Sequence, residues 1–394
     1  MPPDPHDQVS YLARTNSRGM GSRFGIRQAD RLSHLYVIGK TGVGKSTLLE
    51  ILAHQDLVGG RGFALIDPHG DLAESLAASI PPALADRVVY FNAPDATQPF
   101  GYNPLRRVAD IRIPLAASGL LETLRKLWPL AWGVRMEHVL RNSLYALLEQ
   151  YGSALPDILR LYTDKAFRRG IAARLRNPVV RQFWLREFED YPPRLRAEAI
   201  APIQNKLGAL LSDPTLYRVL VAPAVDLHFR SMMDEGQVLL VNLARGRLGE
   251  DSSLILGGLL VSTLGLAAFS RADAPAEQRR PFFLYVDEFQ SFTTLAFVNM
   301  LSELRKFGVG LTLANQYLAA LEPDIRHAVL GNAGTLISFR VGPEDASVLA
   351  REFQPVFGVE DLLNLPNHHL YLKLMIDGTP SRPFSAQTDL RLTS

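Results

Sequence analysis

The chain has no cysteine among its 394 residues. Disulfides and thiolate-bound metals are thereby excluded, and a reducing, cytoplasmic compartment is the expected home. Net charge is also scarce, since 42 Lys and Arg against 40 Asp and Glu leave only +2. A protein that coats nucleic acid by bulk charge would be more basic, so any such contact must be local. A secretion signal is missing too: Met1 to Asp7 is polar and proline-rich, with no apolar core behind it. Neither an internal repeat nor a low-complexity tract is visible. What remains, 47% hydrophobic and 21% charged residues, is the composition of a globular protein with room for one large domain or two smaller ones.

Long apolar runs are rare, with one exception. Ser253 to Ser270 is uncharged between Asp251 and Arg271, and its length alone would suit a membrane span. Gly257, Gly258, Ser262, Thr263 and Gly265 interrupt it, and it lies between strands that must share one sheet. We expect a helix buried inside the fold.

Short apolar runs mark strands at Leu35 to Ile38, Gly62 to Asp67, Arg87 to Phe91, Val238 to Asn242, Phe282 to Val286, Gly310 to Ala314 and Thr335 to Phe339. His369 to Ile376 and Ser381 to Ala386, around Asp377-Gly378, predict a hairpin. Between residues 111 and 225 the spacing is helical instead, as in Leu140, Leu144, Leu147, Leu148 and Tyr151. The expected fold is α/β, a mostly parallel central sheet covered on both faces, with an inserted all-α domain. Residues 1–110 and 226–394 would form the two parts of the sheet domain, and 111–225 the insertion.

Gly39-Lys40-Thr41-Gly42-Val43-Gly44-Lys45-Ser46, followed by Thr47, fits the phosphate-binding pattern G-x-x-x-x-G-K-[ST], after a strand and before a helix. Thr41, Gly42, Val43, Gly44, Lys45, Ser46 and Thr47 are the expected nucleotide-binding residues. Backbone N–H groups and the helix dipole would face the phosphates. Lys45 would reach the β and γ phosphates of ATP, and the Ser46 hydroxyl would ligate Mg²⁺. Phe282 to Val286 ends in Asp287-Glu288, placing Asp287 to hold Mg²⁺ and Glu288 to activate water as general base. Gln316 ends the Gly310 strand and is placed to sense the γ-phosphate or orient water. No L-S-G-G-Q stretch is present, and Asn205-Lys206-Leu207-Gly208 lacks a guanine-reading aspartate, which argues against an ABC transporter ATPase and a GTPase. Asp67, His69 and Asp71 are metal-ligand types, but at a strand-to-helix turn they read as turn and capping residues.

With these pieces placed, the chain resembles the HerA/FtsK superfamily of DNA-pumping ATPases, and most closely its TraG/TraD-type conjugative coupling proteins. The resemblance rests on Gly39 to Thr47, Ile66 to Leu72, Val286 to Phe289, Leu304-Arg305-Lys306-Phe307-Gly308 and Leu313 to Gln316, in that order and with the helical insertion. It implies a RecA-like P-loop NTPase fold, a ring that is usually a hexamer, ATP held between neighbours and DNA threaded through the centre. Arg305 lies where that family carries an arginine finger acting on the next subunit, and Arg340 is a second candidate. Coupling proteins usually carry membrane helices before the P-loop, and no span is seen in the residues before Gly39. The expectation is a cytoplasmic pump, recruited to the membrane by a separate embedded protein or secretion channel. A HerA-like translocase in repair or defence and an ATP-dependent protein-export motor are the alternatives. Lys165, Arg168, Arg169, Arg174, Arg176, Arg181 and Arg186 could meet DNA or form a solvated helix face, and Arg245 and Arg247 could face the pore.

Overall fold

The apolar runs become strands that bury nearly every side chain. The computed structural model describes residues 9–16, 21–127 and 132–390. Its main sheet has eleven strands: β1 (Val9–Thr15), β2 (Arg23–Arg27), β3 (Leu35–Ile38), β4 (Gly62–Asp67), β5 (Val88–Asn92), β6 (Val238–Asn242), β7 (Phe282–Val286), β8 (Val309–Asn315), β9 (Thr335–Ser338), β10 (His369–Lys373) and β11 (Phe384–Thr388). Their spatial order is β2-β1-β11-β10-β9-β3-β8-β7-β4-β6-β5. From β9 to β5 every pairing is parallel. From β9 to β2 every pairing is antiparallel.

The two halves differ for a reason that is readable in their side chains. Strands β3, β4, β6, β7, β8 and β9 are buried at every position, as befits a sheet covered on both faces. The β10 strand alternates between half-buried and buried residues, as a one-sided antiparallel strand does. The expected hairpin is present as β10 and β11. Its tip, Asp377-Gly378, has positive φ at both residues (51° and 76°), the requirement of a two-residue hairpin turn. Strands β1 and β2, absent from the sequence-based expectation, extend the sheet beyond it.

Contacts divide the chain into two compact units. The first comprises Met1–Asn92, Phe229–Ala244 and Ala267–Ser394, the second Ala93–His228 and Arg245–Leu266. In the first, α1 (Lys45–Val58) and α2 (Asp71–Ala78) follow β3 and β4, and α3 (Leu295–Glu303), α4 (Pro323–Asn332) and α5 (Pro343–Phe353) follow β7, β8 and β9. The second is helical apart from a short ladder between Phe100–Gly101 and Val225–Asp226. Prolines open its helices at Pro156, Pro178, Pro193 and Pro214, where a missing N–H costs nothing. Asp164, Asn177 and Asp213 cap three helices there with side-chain oxygens.

The long apolar run is the helix Glu250–Ser270. It is long and apolar enough to cross a membrane, yet 78% of its apolar window is buried within the protein. Its small residues explain why. A Cβ on Gly119 would come within 2.0 Å of Ser262 Oγ, so this helix and Ile113–Leu127 touch through side chains no larger than these.

A fully buried charge ties the sheet to α1. Arg31 and Asp56 have no exposed side-chain surface and bond twice, at 2.7 and 2.8 Å. Tyr285 of β7 donates its hydroxyl to Asp56 at 2.5 Å and accepts from Arg31 at 2.5 Å. Burial alone would raise the Asp56 pKa, but Arg31 holds it below the usual carboxylate range. Because the folded pKa is depressed, this contribution is present at neutral pH and lost as pH falls through it. Asp56→Ala leaves a buried guanidinium uncompensated, so we expect a loss of about 3–5 kcal/mol in urea unfolding. A loss below about 1 kcal/mol would show that the pair is dispensable.

Candidate nucleotide site

All seven parallel strands end at one edge of the sheet, and the predicted site residues other than Arg305 lie there. Ile38 pairs with Asn315 and with Ser338, and Val286 with Ile66. The loop after β3 therefore sits among the ends of β8, β9, β7 and β4. It is stitched down by its own backbone. Gly39 N–H donates to Asn315 O at 3.3 Å, Lys40 N–H to Arg340 O at 2.9 Å, and Val43 O accepts from His368 N–H at 2.8 Å. Gly44, with φ of 117°, opens α1. A Cβ there would lie 2.8 Å from His368 Nδ1, so glycine is required by conformation and by space.

Several charged and polar groups converge beside this loop. Lys45 donates its ammonium to Gly39 O at 2.7 Å and Lys40 O at 3.0 Å. Burial lowers its pKa, and Asp287 and Glu288 counteract this. Ser46 Oγ donates to Asp287 Oδ2 at 3.0 Å. Glu288 Oε1 accepts from Gln316 Nε2 at 2.7 Å, and its other oxygen accepts from Gln290 Nε2. Glu288 itself has φ of 48°, a left-handed conformation uncommon outside glycine and a form of strain that clusters at active sites. Thr41 is exposed, Val43 is buried and Thr47 is half-buried.

These residues fit a magnesium nucleotide. The Asp287 pKa is raised by burial and by the neighbouring Glu288 and Asp67. That is an excess of negative charge which a divalent cation would relieve. Ser46 and Asp287 are the oxygen donors that would hold Mg²⁺, and Lys45 with the loop amides would hold the phosphates. Asp67 takes another part: its oxygens accept His69 N–H at 2.8 Å and Ala73 N–H at 3.0 Å, fixing the turn into α2. Among the described residues no group of three His, Asp or Glu is arranged to hold a metal by itself.

The two arginine candidates separate. Arg340 lies beside this chain's own loop, with its guanidinium on Leu365 O at 3.0 Å and Asn367 Oδ1 at 2.9 Å. Arg305 is exposed and belongs to the turn before β8, whereas Gln316 follows β8. A seven-residue strand separates them by roughly 20 Å, beyond the reach of an arginine. Residues missed by the sequence reading are His368, whose Nδ1 is buried without a partner, and Tyr36, which donates its hydroxyl to Asn315 Oδ1 at 2.7 Å. No motif marks either, because the groups they meet lie far away in sequence.

A raised acid pKa is a cost of the charged form: its stability contribution is lost as pH rises through the folded value. Asp287→Asn is therefore expected to raise the melting temperature of the nucleotide-free protein at pH 7 while weakening magnesium-dependent nucleotide binding. An unchanged or lower melting temperature would show that Asp287 carries no such burden.

No curated protein sequence matches the chain. Among solved structures, the bacterial conjugative coupling protein TrwBΔN70, in an unbound monoclinic form, superposes with a TM-score of 0.68 at 16% identity, covering 98% of this chain and 90% of that one. TrwB in complex with ADP and Mg²⁺ gives 0.65 at 18% identity, with 92% and 87% covered. VirB4 of Thermoanaerobacter pseudethanolicus gives 0.64 at 14% identity, with 98% and 97% covered. These share the RecA-like P-loop fold with its mostly parallel sheet. The family model described as helicase HerA, central domain, matches residues 28–256, and the chain belongs to that family.

Proposed function

We propose that this chain is an ATP-hydrolysing motor that works as a ring, a hexamer by family pattern, and moves DNA as the coupling ATPase of a conjugative, type IV secretion system. The observation that carries the reading is the joining of Lys45, Ser46, Asp287, Glu288 and Gln316 at one sheet edge, with Arg305 held at the opposite edge. The first five residues make a site for phosphoryl transfer to water. In this reading the sixth serves the site of another copy.

Mg²⁺ bound with ATP would supply charge neutralisation at the transferring phosphoryl group. The chain's residues do the rest. Lys45 binds the phosphates, and Glu288 takes a proton from the attacking water at its carboxylate. Gln316 and Gln290 orient that carboxylate through the hydrogen bonds described above. Lys45→Ala is expected to lose tight ATP binding, and Glu288→Gln to bind ATP with little turnover. Normal turnover in Glu288→Gln would remove the assignment of the base.

DNA as the cargo is supported by the helicase family and by the coupling-protein description of TrwB. The basic cluster of the helical unit supports it in part. Lys165 and Arg168 bond Glu189, and Arg176 bonds Asp110 and Glu149. Arg169, Arg174, Arg181 and Arg186 are exposed and are the residues we assign to DNA contact. In this reading the motor is cytoplasmic and is brought to the membrane by a partner.

Two measurements test the proposal. ATPase rate should rise with single-stranded or duplex DNA over none; a rate indifferent to both would favour a protein-export motor. Arg305→Ala should bind ATP yet hydrolyse it slower by on the order of 10³-fold. Mixed with Lys45→Ala subunits in assembled rings, it should regain turnover at the boundary that joins an intact loop to an intact Arg305. Assembled rings with no rescue would remove Arg305 as the finger.

A further inference from the structure

The hydrogen bond from Gln316 Nε2 to Glu288 Oε1, 2.7 Å long, joins the ends of two strands, β8 and β7. Each of the two residues lies just beyond its strand, so the residues beside them decide where they point. Those neighbours, Asn315 and Phe289, are both fully buried, and both rest on one side chain, Tyr36 of β3. The Tyr36 hydroxyl donates to Asn315 Oδ1 at 2.7 Å. Its ring meets Phe289 edge-on, with 6.0 Å between centroids and 89° between planes.

The strand register brings these groups together. Tyr36 pairs with Leu313, and Asn315 lies two residues further along β8. Tyr36 and Asn315 therefore project from one face of the sheet as diagonal neighbours, within reach of an aromatic side chain. Val37 and Ala314 point the other way and join the core that includes Leu48, Leu49 and Leu52 of α1. The Asn315 amide can face in one direction only: Nδ2 donates to Tyr317 O at 3.1 Å, which leaves Oδ1 for the hydroxyl. Burial pushes the Tyr36 pKa well above that of an ordinary phenol, although the bond to Asn315 works against it. The hydroxyl thus keeps its proton and remains a donor. Asn315 in turn fixes the backbone on both sides of Gln316, through its side chain to Tyr317 O and through its own carbonyl to Gly39 N–H at 3.3 Å.

We propose that Tyr36 is a positioning residue for hydrolysis: by holding Asn315 with its hydroxyl and Phe289 with its ring, it sets how Gln316 and Glu288 meet. The inference rests on the site read above and adds to it a side chain with no surface open to ligand. The phosphates are assigned to Lys45 and the loop amides, none of which bonds the Tyr36 hydroxyl. Losing that hydroxyl should therefore spare ATP binding and slow the chemical step, because Glu288 can take the proton of water only from where its partners hold it.

Tyr36→Phe keeps the ring on Phe289 and removes only the bond to Asn315. We expect kcat to fall by about 10- to 100-fold, the scale of a misplacement of up to about 1 Å, with KM and magnesium-dependent ATP affinity unchanged. The decisive measurement is a double-mutant cycle with Gln316→Ala on the full chain. If Tyr36 acts through Gln316, the double variant is as slow as Gln316→Ala alone. A hydroxyl that serves stability only would lower the melting temperature with kcat unchanged, or slow both backgrounds by the same factor; either result overturns the proposal. Should Tyr36→Phe fold poorly, Tyr36→Phe/Asn315→Leu, in which donor and acceptor are removed together, takes its place in the cycle. A slow Gln316→Ala beside a Tyr36→Phe of normal rate overturns Tyr36 alone and leaves the reading of the site standing. A Gln316→Ala chain as fast as the unaltered one removes Gln316 from the mechanism and the proposal with it. An unaltered chain that turns over no ATP, with or without DNA, overturns both.

Discussion

The Arg31 guanidinium has no contact with water, and the two halves of the nucleotide site are held together through it. Asp56 reaches it from α1, Tyr285 from β7 and Ser10 from β1, while the Phe283 ring lies 3.7 Å from its centre. A buried ion tolerates little displacement of its partners, since an unpaired charge in a low-dielectric interior costs several kcal/mol. The elements carrying those partners are therefore fixed against one another. Ser46 lies ten residues up α1 from Asp56, about 15 Å along the helix. Asp287 follows Tyr285 by two residues. The 3.0 Å contact between Ser46 and Asp287 is set from below by this pair.

At the upper end the same framework is loaded against its own stability. Three carboxylates, Asp67, Asp287 and Glu288, lie close enough for the other two to raise the Asp287 pKa, and Glu288 is held in a left-handed conformation. Lys45 is desolvated and satisfied by carbonyls alone. Each of these is unfavourable in the free protein and is relieved by a ligand that brings phosphates and a divalent cation. Sites are commonly arranged this way when binding and turnover matter more than stability. The buried network of Arg31 fixes the same elements from a position where no ligand is touched.

The legible parts of the molecule are those encoded locally. An apolar run between turn residues gave each parallel strand, and the loop from Gly39 to Thr47 carries its function in its own spacing. The strands β1 and β2 were not legible: the burial of β1 alternates imperfectly, and Arg23–Arg27 is half polar, so their pairing depends on β11 being in place. Arg31 was invisible for the same reason. Nothing in Gln28-Ala29-Asp30-Arg31 announces that its partners lie 25 and 254 residues away. Gln316 was identified as a polar strand end, but the acceptor of its hydrogen bond, Glu288, could be named only once β7 and β8 were seen side by side. His368 reaches the phosphate loop from the start of β10, a contact that no spacing rule describes.

A parallel sheet has two unlike edges, and in the proposed ring one copy's two half-sites lie at opposite ones. Every β-strand from β9 to β5 ends at the phosphate edge, so the connections returning to strand starts lie at the other. The Arg305 turn is one of those returns. Strand β8 therefore begins just after the turn of Arg305 and ends just before Gln316, which donates to this chain's own Glu288. It is buried along its whole length and hydrogen-bonded to β3 on one side and β7 on the other. In the proposed ring, a change in how Gln316 engages Glu288 after hydrolysis would be felt at Arg305 of the same subunit, and so at the next phosphate site. In that reading the relay is the strand itself, with Gln316 at one end and Arg305 at the other.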